Sequence, residues 1–583
     1  MREQYARRIT VLTTGLILVA FLILAQLVRI QNSQEAALFR RQADQYASEL
    51  KTIYPERGEI YDRNGHLLAG NKTVYEVGVT LAAVKDPNAI AMAVSTQLGL
   101  DYNRIYQQLL NPPQGVSYLV LADYVESEKA IALQQLKTAL DEQAPEGRSG
   151  SLSGLEFQSH PQRSYPERSL AANILGFVNR EGRGYFGVEE KYNDLLAGHP
   201  VQVLVPTDPN KAVEIPQVPD GTTLILTIHR ALQANAEKIL DEALDKYGAE
   251  GGAIVVMDPR SGEILAMATT PRMDLNQFWN YSTIYHNASE FNPAISMPYE
   301  PGSVIKILTM AAALDTGTVT PNTPFLDTGA IMVGGATIRN WNSEAWGPQD
   351  MIGCLQHSLN VCLAWVATQM GVEKFYGYMN RFGLGHPTGI DLAGEAGGRL
   401  KVPGDADWYP VDLGTNAFGQ GVAVTPVQML MAASALANDG RMVTPHVLYA
   451  LLREGRQYNV PPQYAGSPVS AQTARVLSEM LAISLENESS AALVPGYRIA
   501  GKTGTAQIPT KYGWYDETST NASFIGWGPV DDPKFMIYVW LQKPSASIWG
   551  SQTAAPVFAE VAEKTILALG LPPDQIRLQT AAK

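Results

Sequence analysis

The alternation of apolar and polar positions divides this chain into regimes. From Ile9 to Val28 the run ITVLTTGLILVAFLILAQLV carries no charge. As a helix rising ~1.5 Å per residue it reaches ~30 Å, the thickness of a bilayer's hydrocarbon core. Residues 31–50 are polar with scattered apolar positions, which predicts a helix leaving the membrane. Asp62-Arg63-Asn64-Gly65 separates two strand-like pieces and predicts a hairpin with Gly65 at positive φ. Between residues 84 and 142 apolar positions recur at helical spacing, as in VESEKAIALQQLKTAL, until a Gly/Ser/Pro-rich break from Gln143 to Gly154. Residues 155–200 return to strand and turn character, and the proline-rich Pro206 to Gly221 reads as a boundary.

After Thr222 the pattern is that of a large mixed domain. LILTIHRALQANAEKILDEALDKYG predicts a strand and then an amphipathic helix, and GGAIVVMDPRSGEILAMATT predicts two strands joined by a turn over Asp258 to Gly262. FMIYVWLQ predicts a late strand, and PVFAEVAEKTILALG a last helix. Strands at both ends of a long domain with helices between them predict an α+β architecture, an antiparallel sheet covered by helices.

Charge and composition narrow the function. The net charge of −13 and the lack of a long Lys/Arg run argue against a nucleic-acid partner. Arg2, Arg7 and Arg8 precede the apolar run, which predicts a cytoplasmic N-terminus, a single-pass anchor in the cytoplasmic membrane and an extracytoplasmic bulk. The rival is a cleaved signal peptide, but the run is longer than a signal's ~7–15 apolar residues and no small-x-small site follows it. The two cysteines, Cys354 and Cys362, make neither a disulfide scaffold nor a Cys-rich zinc site. If both stood on one helix they would be ~12 Å apart, so they are expected as buried free thiols. The eight histidines form no metal motif, so neither a metal nor another cofactor is expected. His357 is expected to have a structural or surface role.

The candidate chemistry lies in three short stretches. Ser303-Val304-Ile305-Lys306 follows Pro301-Gly302 and opens an apolar run, which puts Ser303 and Lys306 on one face of a first helical turn. A serine hydroxyl needs a base to become a nucleophile, and Ser–Lys is one such pairing. Ser358-Leu359-Asn360 offers a hydroxyl and an amide two residues apart. Lys502-Thr503-Gly504-Thr505 reads as a strand on which Lys502 and Gly504 share a face, leaving room for a substrate backbone to come close. Singly these motifs are common: Ser48…Lys51 repeats the first and Ser519-Thr520-Asn521 the second. Their order, S-x-x-K then S-x-N then K-T-G within one domain, is what carries specificity.

With these motifs the chain resembles the class B penicillin-binding proteins, from the apolar anchor to about residue 570. YEPGSVIK, HSLN, AFGQGVAVTPVQM and KTGTAQ all look like family motifs. Arg57 to Ala69 resembles the start of the family's pedestal (dimerisation-like) domain, and Arg163-Ser164-Tyr165-Pro166 through Gly187-Val188-Glu189 its end. The resemblance implies a cytoplasmic segment over 1–8, an anchor over 9–28 and an elongated pedestal over 29–215 with a helical insert at about 72–154. A β-lactamase-like transpeptidase domain over 216–571 and a tail over 572–583 would follow. No glycosyltransferase domain is recognised.

The implied activity is D,D-transpeptidation of peptidoglycan stem peptides, with release of the terminal D-alanine and covalent trapping by β-lactams. Ser303 is implied as nucleophile, Lys306 as its base with a pKa lowered by Lys502, Ser358 as proton relay and Asn360 as a holder of the donor amide. Lys502, Thr503 and Thr505 are implied in binding the substrate carboxylate, with Gly504 between them, and the N–H groups of Ser303 and Thr505 in the oxyanion hole. Implied partners are a SEDS-family glycosyltransferase and other cell-wall synthesis membrane proteins. YEPGS and the S-x-N form lean toward the division type, with elongation left open. The alternatives are a D,D-carboxypeptidase, which passes the acyl group to water, and a non-catalytic scaffold of the cell-wall machinery.

Overall fold

The computed structural model describes residues 2–33, 48–53, 55–143, 150–206, 218–488, 490–509 and 515–581. It separates into two units, residues 1–56 with 198–221 and residues 57–197 with 222–583. In the first, a helix spans Arg2–Gln31, and its Arg7–Gln31 segment is long and apolar enough to cross a membrane and is exposed throughout. Strands Ser48–Ile53 and Val201–Pro206 pair antiparallel. The helix expected over 31–50 thus gives way to a strand at Ser48, and its middle lies outside the described residues. Half of the Gln143–Gly154 break and most of the Pro206–Gly221 boundary also lie outside them.

The second unit is built on two sheets. The expected hairpin is present: Ile60–Tyr61 pairs with Leu67–Thr80, and Gly65 has φ +84°. Leu67–Thr80 also pairs with Tyr118–Glu126 and Leu155–Ser164. Helices Pro87–Leu98, Tyr102–Leu110 and Ser127–Gln143 pack a separate apolar core against this sheet. The strand Tyr118–Glu126 corrects the wholly helical reading of 84–142. Its buried side chains, Leu121 and Val125, stand four apart, a spacing that one face of a strand and one face of a helix share. Three short helices between Ala172 and Ala197 likewise replace expected turns. Ile60–Tyr61 pairs in parallel with Thr223–Leu226, so one sheet joins residues from both sides of the proline-rich boundary.

The other sheet is antiparallel and five-stranded, in the order Ile264–Thr269, Gly251–Met257, Phe535–Gln542, Tyr515–Gly528, Ala500–Pro509. Helices Arg230–Tyr247 and Ala554–Ala568 cover one face, and the larger core, with helix Lys306–Asp315, packs on the other. Coverage on both faces explains why GGAIVVM and FMIYVWL are apolar runs rather than alternating ones.

Candidate active site

The nucleophile turn is held by close backbone approach. Gly302 (φ +58°) opens a 3₁₀ turn, Gly302–Ile305, which runs into the helix Lys306–Asp315. Gly302 N–H donates to the Gly419 carbonyl at 3.2 Å. A Cβ on Gly302 would stand 2.8 Å from the Thr505 carbonyl, and one on Gly419 would stand 2.1 Å from the Gly302 carbonyl. Only glycines let these three segments touch.

Gly504 joins the same contact and corrects one expectation. A Cβ there would meet Ser523 Oγ at 2.2 Å, the Pro301 carbonyl at 3.0 Å and Val304 at 3.0 Å. The space beside Gly504 is therefore filled by the start of the nucleophile turn, not left open for a substrate backbone. Gly419 and Gly302 were not singled out as site residues. Their signal in the sequence was the glycine-bearing runs YEPGS and AFGQG.

Lys306 is fully buried. Its Nζ donates to the Ser358 carbonyl at 2.6 Å and to Asn360 Oδ1 at 2.8 Å, and it lies 3.2 Å from Ser358 Oγ. A neutral amine suits this set: two N–H groups serve the two carbonyl oxygens, and the hydroxyl can donate to the lone pair. Burial, and secondarily the charge on Lys502, holds the Lys306 amine well below its ordinary value. Burial is thus the larger cause, ahead of the neighbouring cation expected from the sequence. Among the described residues no hydrogen bond joins Ser303 to Lys306, and no carboxylate lies within ion-pair distance of Lys306.

Ser358 and Asn360 reach Lys306 because the chain breaks between helices Met351–Gln356 and Asn360–Met370, with Ser358 at φ +52°. This break also overturns the reading of Cys354 and Cys362 as free thiols. The two do not share a helix; their Cα atoms are 6.0 Å apart and they form a disulfide across the Ser358 turn. His357 stacks on Trp346 with centroids 4.3 Å apart, and burial lowers its pKa.

The third motif lies on Ala500–Pro509, an edge strand whose Thr503 pairs with Phe524 and Thr505 with Ala522. Lys502 is buried, with Nζ 3.1 Å from Thr503 Oγ1. Burial lowers its pKa to about 8, with Glu488 acting in the opposite direction. Thr505 Oγ1 accepts from Gly550 N–H at 3.0 Å. Ser303, Ser358, Asn360, Thr503 and Thr505 line one cleft of about 310 Å³, together with Trp341 and Trp549, whose rings meet edge to face at 5.1 Å. All three motifs therefore converge. The decoys do not: Ser48 belongs to the other unit, and Ser519 to Asn521 do not line the cleft.

Residues 252–563 match the description of the penicillin binding protein transpeptidase domain, and residues 52–216 that of the penicillin-binding protein dimerisation domain. Stage V sporulation protein D of Bacillus subtilis is 33% identical over 540 residues, covering 90% of this chain and 80% of the relative. The probable peptidoglycan D,D-transpeptidase PbpC of Pseudomonas aeruginosa is 29% identical, covering 86% of this chain and 89% of its own length. A crystal structure of penicillin binding protein 3 of Mycobacterium tuberculosis, complexed with aztreonam, is similar with a TM-score of 0.68 at 26% identity, covering 90% of this chain and 98% of that one.

Proposed function

This chain belongs to the penicillin binding protein transpeptidase family and is a serine acyl-transfer enzyme of peptidoglycan cross-linking, and on that premise we propose the roles of its residues. Lys306, as the neutral amine, takes the proton of Ser303 Oγ, which attacks the carbonyl carbon of the penultimate D-alanine. The N–H groups of Ser303 and Thr505 hold the oxyanion. The C–N bond then breaks, and the D-alanine nitrogen leaves with a proton delivered through Ser358 Oγ. In the second half an acceptor amine attacks the ester carbon and the Ser303 Oγ–carbon bond breaks. One amine proton returns through Ser358 and Lys306 to Ser303. Lys502, Thr503 and Thr505 bind the terminal carboxylate, and Asn360 holds the donor amide.

The observation that carries this reading is the buried Lys306, bonded at once to both ends of Ser358-Leu359-Asn360. The test is intact-mass spectrometry of the full-length chain after exposure to a β-lactam. A single adduct is expected, lost in Ser303→Ala and retained in the Ser48→Ala decoy. An adduct that survives Ser303→Ala refutes the assignment.

The finer placement follows the same premise. Residues 29–215 serve as the pedestal and 216–571 as the catalytic domain. The helix Arg2–Gln31 anchors the chain once in the cytoplasmic membrane, with Arg2, Arg7 and Arg8 on the cytoplasmic side. Anchor and pedestal together meet a SEDS-family glycosyltransferase. Proteolysis of intact spheroplasts should digest the catalytic domain, and a mature chain beginning after residue 25 would contradict the anchor.

A further inference from the structure

The cleft that holds Ser303 does not end at Ser358. Gln356 and His357 line both the cleft and an adjoining groove of about 560 Å³ over the helix Met351–Gln356. There Asn487, the last residue of helix Ala471–Asn487 and also a groove residue, donates through Nδ2 to Gln356 Oε1 at 3.2 Å. Two helix C-termini, the negative ends of their dipoles, therefore meet at the junction of groove and cleft. The polar lining of the groove is Gln349, Asp350, Gln356, His357 and Asn487, with no lysine or arginine. The next residue, Glu488, lines the cleft itself and is exposed. Among the described residues it is the one acidic side chain of the cleft wall, and no cation lies within ion-pair distance of it.

Acyl transfer makes two opposite demands on this end of the cleft. The departing D-alanine carries a carboxylate, which Lys502, Thr503 and Thr505 suit. The incoming acceptor attacks the ester along the reverse of the path by which the D-alanine amine left, so its nitrogen must arrive beside Ser358. In water that amine is an ammonium, with an ordinary pKa of ~10.4, and it is attached to a peptide. An accessible carboxylate at the point of entry concentrates and orients such a group.

We propose that Glu488 receives the ammonium of the acceptor strand, which gives up one proton to bulk water before its nitrogen attacks, and that the groove over the helix Met351–Gln356 seats the peptide carrying it. This rests on the transpeptidase reading above and adds the acceptor subsite to it. The electrostatics agree: burial raises the Glu488 carboxyl pKa, and the nearby charge of Lys502 limits the rise. A cationic ligand beside it would favour its charged form. Glu488 acts here as a positioning residue, since the bonds made and broken are those at Ser303.

The experiment uses the full-length chain with a D-alanyl thioester as donor and a lysine-containing tripeptide as acceptor. Aminolysis and hydrolysis products arise from the same acyl-enzyme, so their ratio is independent of how fast, or in how many folded molecules, the acyl-enzyme forms. Glu488→Gln should lower the aminolysis-to-hydrolysis ratio at least ~10-fold, the scale of one hydrogen bond to a charged group. Glu488→Asp should restore most of it. With a small neutral nucleophile such as methanol in place of the tripeptide, Glu488→Gln should leave the partition within ~2-fold of the parent. A tripeptide ratio unchanged in Glu488→Gln, or one that falls equally with methanol, overturns the acceptor subsite while leaving the transpeptidase reading intact. If the parent forms no acyl-enzyme at all, the transpeptidase reading itself fails, and the subsite with it.

Discussion

Lys306 and Ser358 meet twice: Nζ donates to the Ser358 carbonyl at 2.6 Å and lies 3.2 Å from its hydroxyl. The first contact exists because Ser358 adopts φ +52°, which turns its carbonyl toward the amine instead of into a continuing helix. The second links the base that activates Ser303 to the relay that protonates the leaving nitrogen. The consequences can be tested residue by residue.

The two lysines should respond differently to arginine. Lys306 must accept a proton, and arginine stays protonated at any working pH. Its buried site also matches a single nitrogen reaching Ser358 and Asn360, not a planar fork. Lys502 mainly supplies charge, which arginine keeps. The second-order rate of acylation by a fluorescent β-lactam should fall at least ~10²-fold further in Lys306→Arg than in Lys502→Arg. Equal losses would mean that the two roles are misassigned.

The same pair sets a pH profile. Acylation should rise as pH climbs through the lowered pKa of Lys306, which becomes the neutral base. It should fall as pH rises through about 8, where Lys502 loses its proton and with it the attraction for the ligand's carboxylate. In Lys502→Arg the alkaline limb should move upward while the acid limb stays. An alkaline limb that does not move in that variant would detach it from Lys502.

Much of this site was legible in the sequence, and the limits have physical causes. Ser303, Lys306, Ser358, Asn360 and the Lys502 strand could be picked out because their residue types are required by the chemistry and their order is unusual. The relation between Cys354 and Cys362 was misread because a helix was assumed to continue through Ser358, and no residue there announces a left-handed turn as glycine would. The role of Gly504 was misread because a bare strand position shows only that something comes close, not what. Arg57, Arg163 and Glu189, far apart in the chain, were noted only through family-like runs, yet they meet in one buried cluster. Side-chain partnership of that kind is set by tertiary packing and leaves no periodic signal.

The disulfide should hold the Ser358 turn in register. Cys354 and Cys362 are both fully buried and straddle the residues that contact Lys306. Closing so short a loop is worth about 2.5 kcal/mol by chain entropy. The Cys354→Ala/Cys362→Ala chain should lose that order of stability in denaturant unfolding and acylate ~10-fold more slowly, about the effect of one misplaced charge-assisted hydrogen bond. Alkylation of the unfolded, unreduced parent should label neither cysteine. Labelling of both would refute the bond.

The buried Glu189 should matter for stability rather than chemistry. It accepts from Arg57 Nε and Arg163 Nε, both at 2.7 Å, and from the Tyr165 hydroxyl at 3.3 Å. Removing the carboxylate leaves two guanidinium groups in a site with little solvent, and breaking such a buried network costs ~3–5 kcal/mol. Glu189→Ala should show that loss in chemical denaturation, while acylation per folded molecule stays within ~2-fold of the parent, as expected for a residue that shares no partner with the cleft. A loss under ~1 kcal/mol would place the cluster among weak surface pairs.

Gly504→Ala discriminates between the two uses of a bare position on the Lys502 strand. If the space beside Gly504 served the ligand, an added methyl would obstruct bulky β-lactams and spare small ones. The structure fills that space with the Pro301 carbonyl, Val304 and Ser523. Of these, only the Ser523 hydroxyl can swing aside, and it is itself fully buried. The methyl must therefore push on the turn that carries Ser303, an overpacking cost of ~1–3 kcal/mol. Acylation should slow by a similar factor, ~10-fold or more, for small and large β-lactams alike, and the melting temperature should fall. A loss that grows with the size of the β-lactam side chain, at unchanged melting temperature, would return Gly504 to the substrate.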